Sequence, residues 1–374
     1  MVCSHIVCVV LILAVLATSH SQAADVCPPE GCRFGGVDTV NCNSPDLLTF
    51  PSFEACKSFT FMIIGLTGTS VKLIPDSSLP ANLQKLSIFE HEPLSFSDHA
   101  FHNCAQTLRR FSLEQIGLTK LPDALLELTA LEEFHLWDET EITDWNLPVL
   151  KNIGRTVKDL LLHNTSLNSW PDWLVHFVSL TYLDIAMTSM TPVPDDALHQ
   201  VSDTLKILYM RATNLTRVPK AFASLTALTE LYLNENHITK VDNTPSSLLS
   251  LYLENNGITE ISDDTFPQRN SFLTLNLRQN PITRISPNAF LHLSSLKELY
   301  LQDTWLSRLP LALSHLSSLD QLLMAVNSRL VCTCEESGLL PWFSSRPNMY
   351  VQGTCGDIEI KTFFTLLAGS CPGH

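Results

Sequence analysis

The sequence predicts an α/β solenoid with a parallel β-sheet on its concave side and disulfide-bonded caps at both ends. Two observations support this fold class. An apolar template recurs along the chain in steps of 20 to 26 residues, and most cysteines cluster near the two ends. Self-similarity at such a period is typical of stacked repeats, each of which buries its apolar side only against its neighbours.

The template is clearest between residues 228 and 261, where two units follow one another. Both units read L-x-x-L-x-L-x-x-N-x-I, with Asn236 and Asn256 at the asparagine position. The L-x-L core is a short strand, so its side chains point alternately into the core and towards solvent. The asparagine turns the chain off the strand, and its amide can satisfy backbone groups left open at the bend.

Twelve units fit this template, and the asparagine position varies among them. Four units keep the amide, five have threonine there, and three depart from both. The asparagines are Asn236, Asn256, Asn280 and Asn327, the threonines are Thr67, Thr165, Thr188, Thr213 and Thr304, and the departures are His91, Ile116 and Glu139. The 26-residue unit from Leu131 contains WDETEITDW, which we expect to form a protruding loop. The first template positions are Phe59, Leu83, Leu108, Leu131, Val157, Leu180, Leu205, Leu228, Leu248, Phe272, Leu296 and Leu319.

These units resemble leucine-rich repeats (LRRs), and the resemblance covers residues 27–371. It implies a right-handed horseshoe solenoid with strands on the concave side and turns or short helices on the convex side. Members of that family recognise proteins, as cell-surface receptors, matrix proteins and immune recognition molecules. The resemblance therefore implies a binding role.

The N-terminal cysteines resemble the N-terminal cap of extracellular LRR proteins. That cap usually carries C-x-C in its middle, but Phe34 replaces the second cysteine here. The expected pairs are Cys32–Cys42 and Cys27–Cys56. A disulfide-bonded cap would cover the open edge of the first strand, which could otherwise recruit another chain.

The C-terminal cysteines follow C-x-C, then 20 residues, C, 15 residues and C. This spacing resembles the C-terminal cap of secreted and cell-surface LRR proteins, which implies the pairs Cys332–Cys355 and Cys334–Cys371. A zinc site is the alternative, but export favours oxidation over metal binding. We therefore expect disulfides and no metal.

Residues 1–24 are expected to be a secretory signal. An apolar run over residues 7–16 is followed by small residues at 21–24. The alternative is a membrane anchor, but the run is short for a span. We expect an N-terminal cap over 25–57, about twelve repeats over 58–331 and a C-terminal cap over 332–374. The mature chain would be secreted, glycosylated and extracellular, with no membrane span.

The net charge of −15 argues against nucleic acid as a partner, because the chain lacks the electrostatic term that drives such binding. A basic partner would be favoured at long range. No G-x-S-x-G, H-E-x-x-H or G-x-x-x-x-G-K motif occurs. The sequence therefore predicts no enzyme activity and no cofactor.

Tyrosines concentrate at the fifth template position, which faces the concave side. Four of the six tyrosines of the chain stand there, and Tyr182 lies two places before this position on the same face. Tyrosine is enriched at binding hot spots, although ring stacking alone would also explain the column. We expect the hydroxyls to point to solvent. The expected ligand-binding residues are Tyr182, Tyr209, Arg211, Tyr232, Tyr252, Arg278 and Tyr300.

Two other clusters have both a functional and a structural interpretation. An acidic group around Trp137 could dock a basic partner or calcium, or could be a solvated loop; it consists of Glu132, Glu133, Asp138, Glu139, Glu141 and Asp144. His99, His102 and Cys104 could hold a metal, but Cys104 aligns with a core position, so we expect a buried thiol. Asn164 and Asn214 lie in N-x-S/T sequons and are expected to carry glycans.

The sequence leaves two function classes open. The first is a secreted, non-enzymatic binding protein that recognises a protein ligand or receptor through its concave face, as matrix and innate-immune LRR proteins do. The second is the non-catalytic subunit of an extracellular enzyme complex, similar in design to the partner subunit of a secreted luciferase. Co-purification from the native secretion would separate them.

Overall fold

The computed structural model describes residues 27–35, 39–42, 44–56, 58–66, 68–89 and 93–371. The expected signal segment, residues 1–24, lies outside this part of the chain. The chain divides into two compact units, Met1–Val157 (unit 1) and Lys158–His374 (unit 2). No helix within the described ranges is both long and apolar enough to cross a membrane.

Unit 1 carries a main sheet in the order β1-β2-β3-β5-β7-β8 and a separate pair, β4 with β6. Strand β1 is antiparallel to β2, and every later pairing in this unit is parallel. In the described part of unit 1 the strands are β1 Arg33–Phe34, β2 Thr39–Asn41, β3 Phe61–Gly65, β4 Leu73–Ile74, β5 Lys85–Phe89, β6 Ser95–Phe96, β7 Arg110–Glu114 and β8 Glu133–Trp137.

Unit 2 carries a parallel main sheet in the order β9-β10-β11-β12-β13-β15-β17-β18-β19. Two short pairs, β14 with β16 and β20 with β21, lie outside it. The strands are β9 Asp159–His163, β10 Tyr182–Ala186, β11 Ile207–Tyr209, β12 Glu230–Tyr232, β13 Ser250–Tyr252, β14 Glu260–Ile261, β15 Thr274–Asn276, β16 Arg284–Ile285, β17 Glu298–Tyr300, β18 Gln321–Leu323, β19 Tyr350–Gln352, β20 Thr354–Cys355 and β21 Ile358–Glu359.

Short helical segments follow many of the strands. The α-helices are α1 Leu147–Ile153, α2 Leu340–Ser344 and α3 Ile360–Thr362, the last continuing into a π-turn at Phe363–Leu367. The 3-10 turns are His102–Cys104, Asp123–Glu127, Asp172–His176, His199–Val201, Lys220–Ser224, Leu311–His315, Cys334–Leu339 and Ala368–Ser370. Four of them begin after an extended proline, whose fixed φ suits a helix start: Pro122, Pro171, Pro219 and Pro310.

The predicted repeat phase is confirmed. Each of the twelve predicted starts is followed two residues later by the first residue of a main-sheet strand, from β3 at Phe61 to β18 at Gln321. Within the strands, burial alternates as the template requires: Leu231 is fully buried while its neighbours Glu230 and Tyr232 are half-buried. The apolar template positions therefore form the core, and the positions between them form the outward sheet face.

Four asparagines in unit 2 each tie their own turn to the repeat before it. Asn256 Oδ1 accepts a hydrogen bond from the Ile238 backbone N–H at 2.9 Å. Asn256 Nδ2 donates to the carbonyls of Leu233 and Leu253 at 3.0 Å each. One amide thus satisfies buried donors and acceptors at once. Equivalent bonds to the preceding repeat are made by Asn236, Asn280 and Asn327.

In unit 1, Glu139 takes the place of this asparagine and is buried. Its Oε1 accepts from the Ile116 N–H at 2.8 Å and its Oε2 from the Leu118 N–H at 3.0 Å. Burial raises the pKa of the Glu139 carboxyl, and the two backbone hydrogen bonds oppose that shift. Glu139 therefore departs from the template in residue type but keeps the acceptor role.

The expected protruding loop in the 26-residue unit is wrong. Trp137 is the last residue of β8, and Ile142 is buried two residues before a bridge between Asp144 and Lys120. The following residues form helix α1, where most other repeats have a short 3-10 turn. Buried apolar residues of α1 pack the extra residues of this unit against the core, so the segment does not protrude into solvent.

Disulfides lie at both ends of the repeat array. They join Cys27 to Cys56, Cys32 to Cys42, Cys332 to Cys355 and Cys334 to Cys371, which are the pairs expected from the sequence. The Cys32–Cys42 bridge closes the β1–β2 hairpin, and β2 covers the edge of β3. At the other end, β19 covers the edge of β18. Both end segments therefore add strands to the sheet edges, which limits pairing with other chains.

Candidate functional site

Three tyrosine rings form a stack on the outward sheet face of unit 2. Tyr209, Tyr232 and Tyr252 lie directly beside one another in strands β11, β12 and β13. The Tyr209 and Tyr232 ring centroids are 3.9 Å apart with planes at 7°, and those of Tyr232 and Tyr252 are 4.3 Å apart with planes at 3°. Both distances are shorter than the ~4.8 Å strand spacing, as on the inner side of a curved sheet.

The other two predicted tyrosines extend this stack unequally. Tyr182 stands opposite Ile207 in the register, in the neighbouring row, and its ring meets that of Tyr209 at 5.5 Å and 41°. Tyr300 is separated from Tyr252 by Asn276. The predicted column is thus a run of four rings and, beyond Asn276, a fifth ring. We call the outward residues at template positions three, five and seven of the repeats that contain β9 to β18 the tyrosine face.

The expectation that the hydroxyls point to solvent is wrong for two of these tyrosines. Tyr232 donates its hydroxyl to Glu230 Oε2 at 2.7 Å, and Tyr300 donates to Glu298 Oε2 at 3.0 Å. Residues two apart on a strand share a face, so a long carboxylate side chain reaches the neighbouring hydroxyl. The E-x-Y spacing at 230–232 and 298–300 was the sequence signal for these pairs.

Both hydroxyls stay protonated near neutral pH. Burial raises the pKa of Tyr300 to about 12, and the Glu298 carboxylate adds to the shift. Burial also raises the pKa of Tyr232, with contributions from its hydrogen bonds to Tyr209 and Glu230. The tyrosines are therefore neutral donors that hold the carboxylates in place.

The two predicted arginines are already engaged in ion pairs. Arg211 Nη1 lies 3.1 Å from Glu235 Oε1, and Arg278 Nη1 lies 3.6 Å from Glu254 Oε1. Glu254 also accepts from the Asn276 amide at 3.5 Å. Because the arginine side chains are nearly half exposed, these pairs contribute little stability but orient the charges.

Carboxylates outnumber guanidinium groups in the three outward rows of the tyrosine face, which hold template positions three, five and seven. The guanidinium groups there are Arg211 and Arg278. The carboxylates there are Asp159, Asp184, Glu230, Glu254 and Glu298. This excess favours a basic partner at long range.

The corresponding rows of unit 1 mix apolar side chains, such as Phe61 and Phe89, with small polar residues and ion pairs, and they hold no tyrosine. Ser112 and His135 stand side by side at 3.3 Å between Oγ and Nδ1. Glu133 pairs with Arg110, so it does not add to a free acidic surface. Glu132 lies 3.6 Å from Arg109 Nη1. With Glu139 buried, the interpretation of this segment as an acidic docking loop is not supported.

The histidines and the cysteine considered as a metal site separate in the structure. The Cys104 thiol is free and buried, and burial raises its pKa to about 12. His99 and His102 are exposed, with their Nδ1 atoms 2.9 and 3.5 Å from Glu127 Oε1. The hydrogen bond to Glu127 raises the pKa of His99. Cys104 thus occupies the core place expected of it.

The two sequon asparagines differ in exposure. Asn214 is exposed, whereas Asn164, directly after β9, is half-buried. Both have positive φ, 64° and 49° respectively, a conformation that asparagine tolerates better than most residues. The geometry therefore favours Asn214 as the more accessible acceptor.

Comparisons with known proteins agree with this geometry. The family model described as leucine rich repeat matches residues 246–306. A search of curated protein sequences finds no significant match. Among solved structures, an LRR protein of Leptospira interrogans aligns at TM-score 0.59 with 21% identity, covering 92% of this chain and 88% of that one.

Two further structures come from protein complexes. A chain of the octameric complex of Latrophilin 3, Unc5D and FLRT2 aligns at TM-score 0.53 with 19% identity, covering 90% of this chain and 91% of that one. A chain of the glycosylated Toll–Spatzle complex of Drosophila aligns at TM-score 0.60 with 16% identity, covering 82% of this chain and 43% of that one. At these identities the likeness shows the fold. Together with the repeat phase and the end disulfides, it identifies the chain as a leucine-rich repeat protein with disulfide-bonded caps.

Proposed function

We propose that the chain is a secreted, non-enzymatic binding protein that recognises a protein ligand through the tyrosine face. The stacked run of tyrosines carries the proposal. The residues that make the contact are Tyr182, Tyr209, Arg211, Tyr232, Tyr252, Arg278 and Tyr300. Rings of this kind supply large contact area with few rotatable bonds, and they dominate many protein interfaces.

Pre-ordering of the rings supports this role. Binding costs free energy for every side chain that must be immobilised, about 0.5–1.5 kcal/mol each. Here Tyr232 is already held between two parallel rings and bonded to Glu230, so it loses little freedom when a partner covers it. A stack fixed in advance is a suitable anchor for a rigid partner surface.

The charge of the face indicates a basic partner. Its excess of carboxylates would steer a positively charged surface towards the rings and raise the association rate at low ionic strength. The association rate constant should therefore fall as salt is added, while dissociation changes less.

Similar folds in known complexes support protein recognition. The FLRT2 structure contains Latrophilin 3 and Unc5D, and the Toll structure contains Spatzle. Disulfide-bonded caps support an extracellular location, because such bonds persist in oxidising compartments. A glycan on exposed Asn214, and a second on Asn164, would then be added during secretion.

The test uses the secreted chain as bait in the native extracellular fluid, followed by titration of the captured protein. Tyr232→Ala combined with Tyr252→Ala should weaken affinity by at least roughly 30-fold, because a hot-spot ring contributes ~2 kcal/mol or more. Tyr350→Ala in terminal strand β19 is the matched control, since that ring is exposed outside the stack. Unchanged affinity in the double variant would overturn the proposal. An enzyme captured in fixed ratio would instead identify the chain as its non-catalytic subunit.

A further inference from the structure

The tyrosine column has a gap at Asn276. Strands β13, β15 and β17 run side by side, and the register places Tyr252, Asn276 and Tyr300 in one row. Asn276 is half-buried and much shorter than a tyrosine. The row therefore leaves a space between the rings of Tyr252 and Tyr300, which we call the Asn276 slot.

The slot has the width of one flat chemical group. Successive rings in the adjoining stack stand 3.9 and 4.3 Å apart, so two such steps span roughly 8 Å, about twice the contact distance between two carbon atoms. A planar group inserted over Asn276 could therefore touch both rings face to face. A bulkier tetrahedral group would contact one ring or stay above both.

A carboxylate stands at each end of the slot. Glu298 is fixed at one end, where its Oε2 accepts from the Tyr300 hydroxyl at 3.0 Å and from Thr274 Oγ1 at 3.4 Å. Glu254 lies at the other end, in the opposite outward row, and its Oε2 accepts from the Asn276 amide at 3.5 Å. The site thus combines two ring faces with negative charge at the rim.

We propose that the Asn276 slot binds the guanidinium group of an arginine side chain on the ligand. This inference rests on the proposed function and names the group that the tyrosine face selects. A guanidinium is flat, positively charged and able to stack on aromatic rings while its N–H groups point outward in its plane to carboxylates. The lysine ammonium is a compact, strongly hydrated charge that cannot fill a flat space in the same way.

Arg278 does not already occupy this role. Its guanidinium lies 3.6 Å from Glu254 Oε1, in the seventh-position row, and its side chain is 47% exposed. It partly neutralises Glu254 and leaves Glu298 as the stronger anion of the slot. The incoming arginine should therefore orient its N–H groups mainly towards Glu298.

The test fills the slot by extending the column. Asn276→Tyr places a fifth-position tyrosine where four other repeats already have one, so the template tolerates it. Leu323→Tyr is the matched control, because it adds a ring beside Tyr300 on β18 without filling the slot. The probe is the peptide acetyl-Gly-Arg-Gly-amide, compared with the same peptide carrying citrulline, which is flat but uncharged. Binding is followed by saturation-transfer NMR at low salt.

The arginine peptide should bind the wild type and the Leu323→Tyr variant alike. Binding should weaken at least about tenfold with citrulline and with Asn276→Tyr, since charge and ring contacts are lost respectively. Equal binding of both peptides, or unchanged binding to Asn276→Tyr, overturns the slot. The protein ligand separates the two proposals: if it tolerates Asn276→Tyr but not the loss of Tyr232 and Tyr252, the slot is wrong and the binding face stands.

Discussion

The two units close the same turn with different side chains. In unit 2 the amide of Asn256 accepts from one backbone N–H and donates to two carbonyls. In unit 1 the carboxylate of Glu139 accepts from two backbone N–H groups. What the turn requires is a buried acceptor for these donors, because leaving them unpaired costs free energy. The asparagine template is one way to supply it.

The outward faces of the two units differ more than their cores. The fifth position holds stacked tyrosines in unit 2 but Ser112 and His135 in unit 1. Inward residues must fill a packed interior, whereas outward residues are limited only by solubility and strand geometry. The outward rows therefore determine which partner can bind, and the inward rows determine most of the stability.

Removing the amide of Asn256 should have the largest effect. Asn256→Ala leaves the buried Ile238 N–H without a partner, at about 1–3 kcal/mol for an unsatisfied group. It also removes one of the two amide hydrogen bonds accepted by each of the Leu233 and Leu253 carbonyls, at about 0.5–1.5 kcal/mol per bond. We expect a loss of roughly 3 kcal/mol or more in the free energy of unfolding, measured from the urea midpoint. Asn234→Ala is the control, since Oδ1 of this outward asparagine has no hydrogen-bond partner within the described residues. Equal losses in both variants would contradict the assigned role of the turn amide.

Sequence reasoning predicted the strands because burial repeats at fixed intervals. Every strand from Phe61 to Gln321 in the main sheets starts where the template placed it. Glu139 departed from the template because a carboxylate at the asparagine position can also accept from the backbone N–H groups of the preceding turn. The extra residues before Val157 were predicted to form a loop because the segment WDETEITDW is rich in polar residues. The helix that follows, α1, packs against the core through its buried positions.

Glu139→Ala should show an intermediate and pH-dependent effect. Two buried N–H groups lose their acceptors, so we expect a loss of about 2 kcal/mol at pH 5. Burial raises the pKa of Glu139 above its ordinary value of 4.5, so the folded wild type binds this proton more tightly than the unfolded chain. The stability contributed by Glu139 is then full below pH 4.5 and falls as pH rises through the raised pKa.

The cost of Glu139→Ala should therefore shrink from pH 5 to pH 8, while that of Asn256→Ala stays constant because an amide does not titrate. Urea unfolding of wild type and both variants at several pH values measures the difference. If the cost of losing Glu139 instead grows with pH, its ionised form is favoured in the fold, and the backbone N–H groups outweigh burial.

Site residues were only partly predictable. The tyrosine column follows from the fifth template position, and the register confirms that Tyr209, Tyr232 and Tyr252 are neighbours. The hydroxyl partners were missed because sequence spacing alone does not say which of several nearby acceptors a rotatable hydroxyl selects. The sequence shows that Asn276 interrupts the tyrosines at the fifth position. The strand register is needed to show that Tyr252 and Tyr300 flank it and that carboxylates lie at both ends of the slot.

Tyr232→Phe should have the smallest effect on the free energy of unfolding. It tests whether the hydroxyl of Tyr232 helps to order the tyrosine face. It removes the hydrogen bonds of Tyr232 to Glu230 and Tyr209 but keeps the stacked ring. We expect a loss of about 1 kcal/mol in the free energy of unfolding, as for a typical partly exposed hydrogen bond. Tyr252→Phe is the control, because it keeps the same stack and the Tyr232–Glu230 bond. A larger loss for Tyr252→Phe would mean that the Glu230 bond does not order the face; a loss confined to Tyr232→Phe would mean that it does.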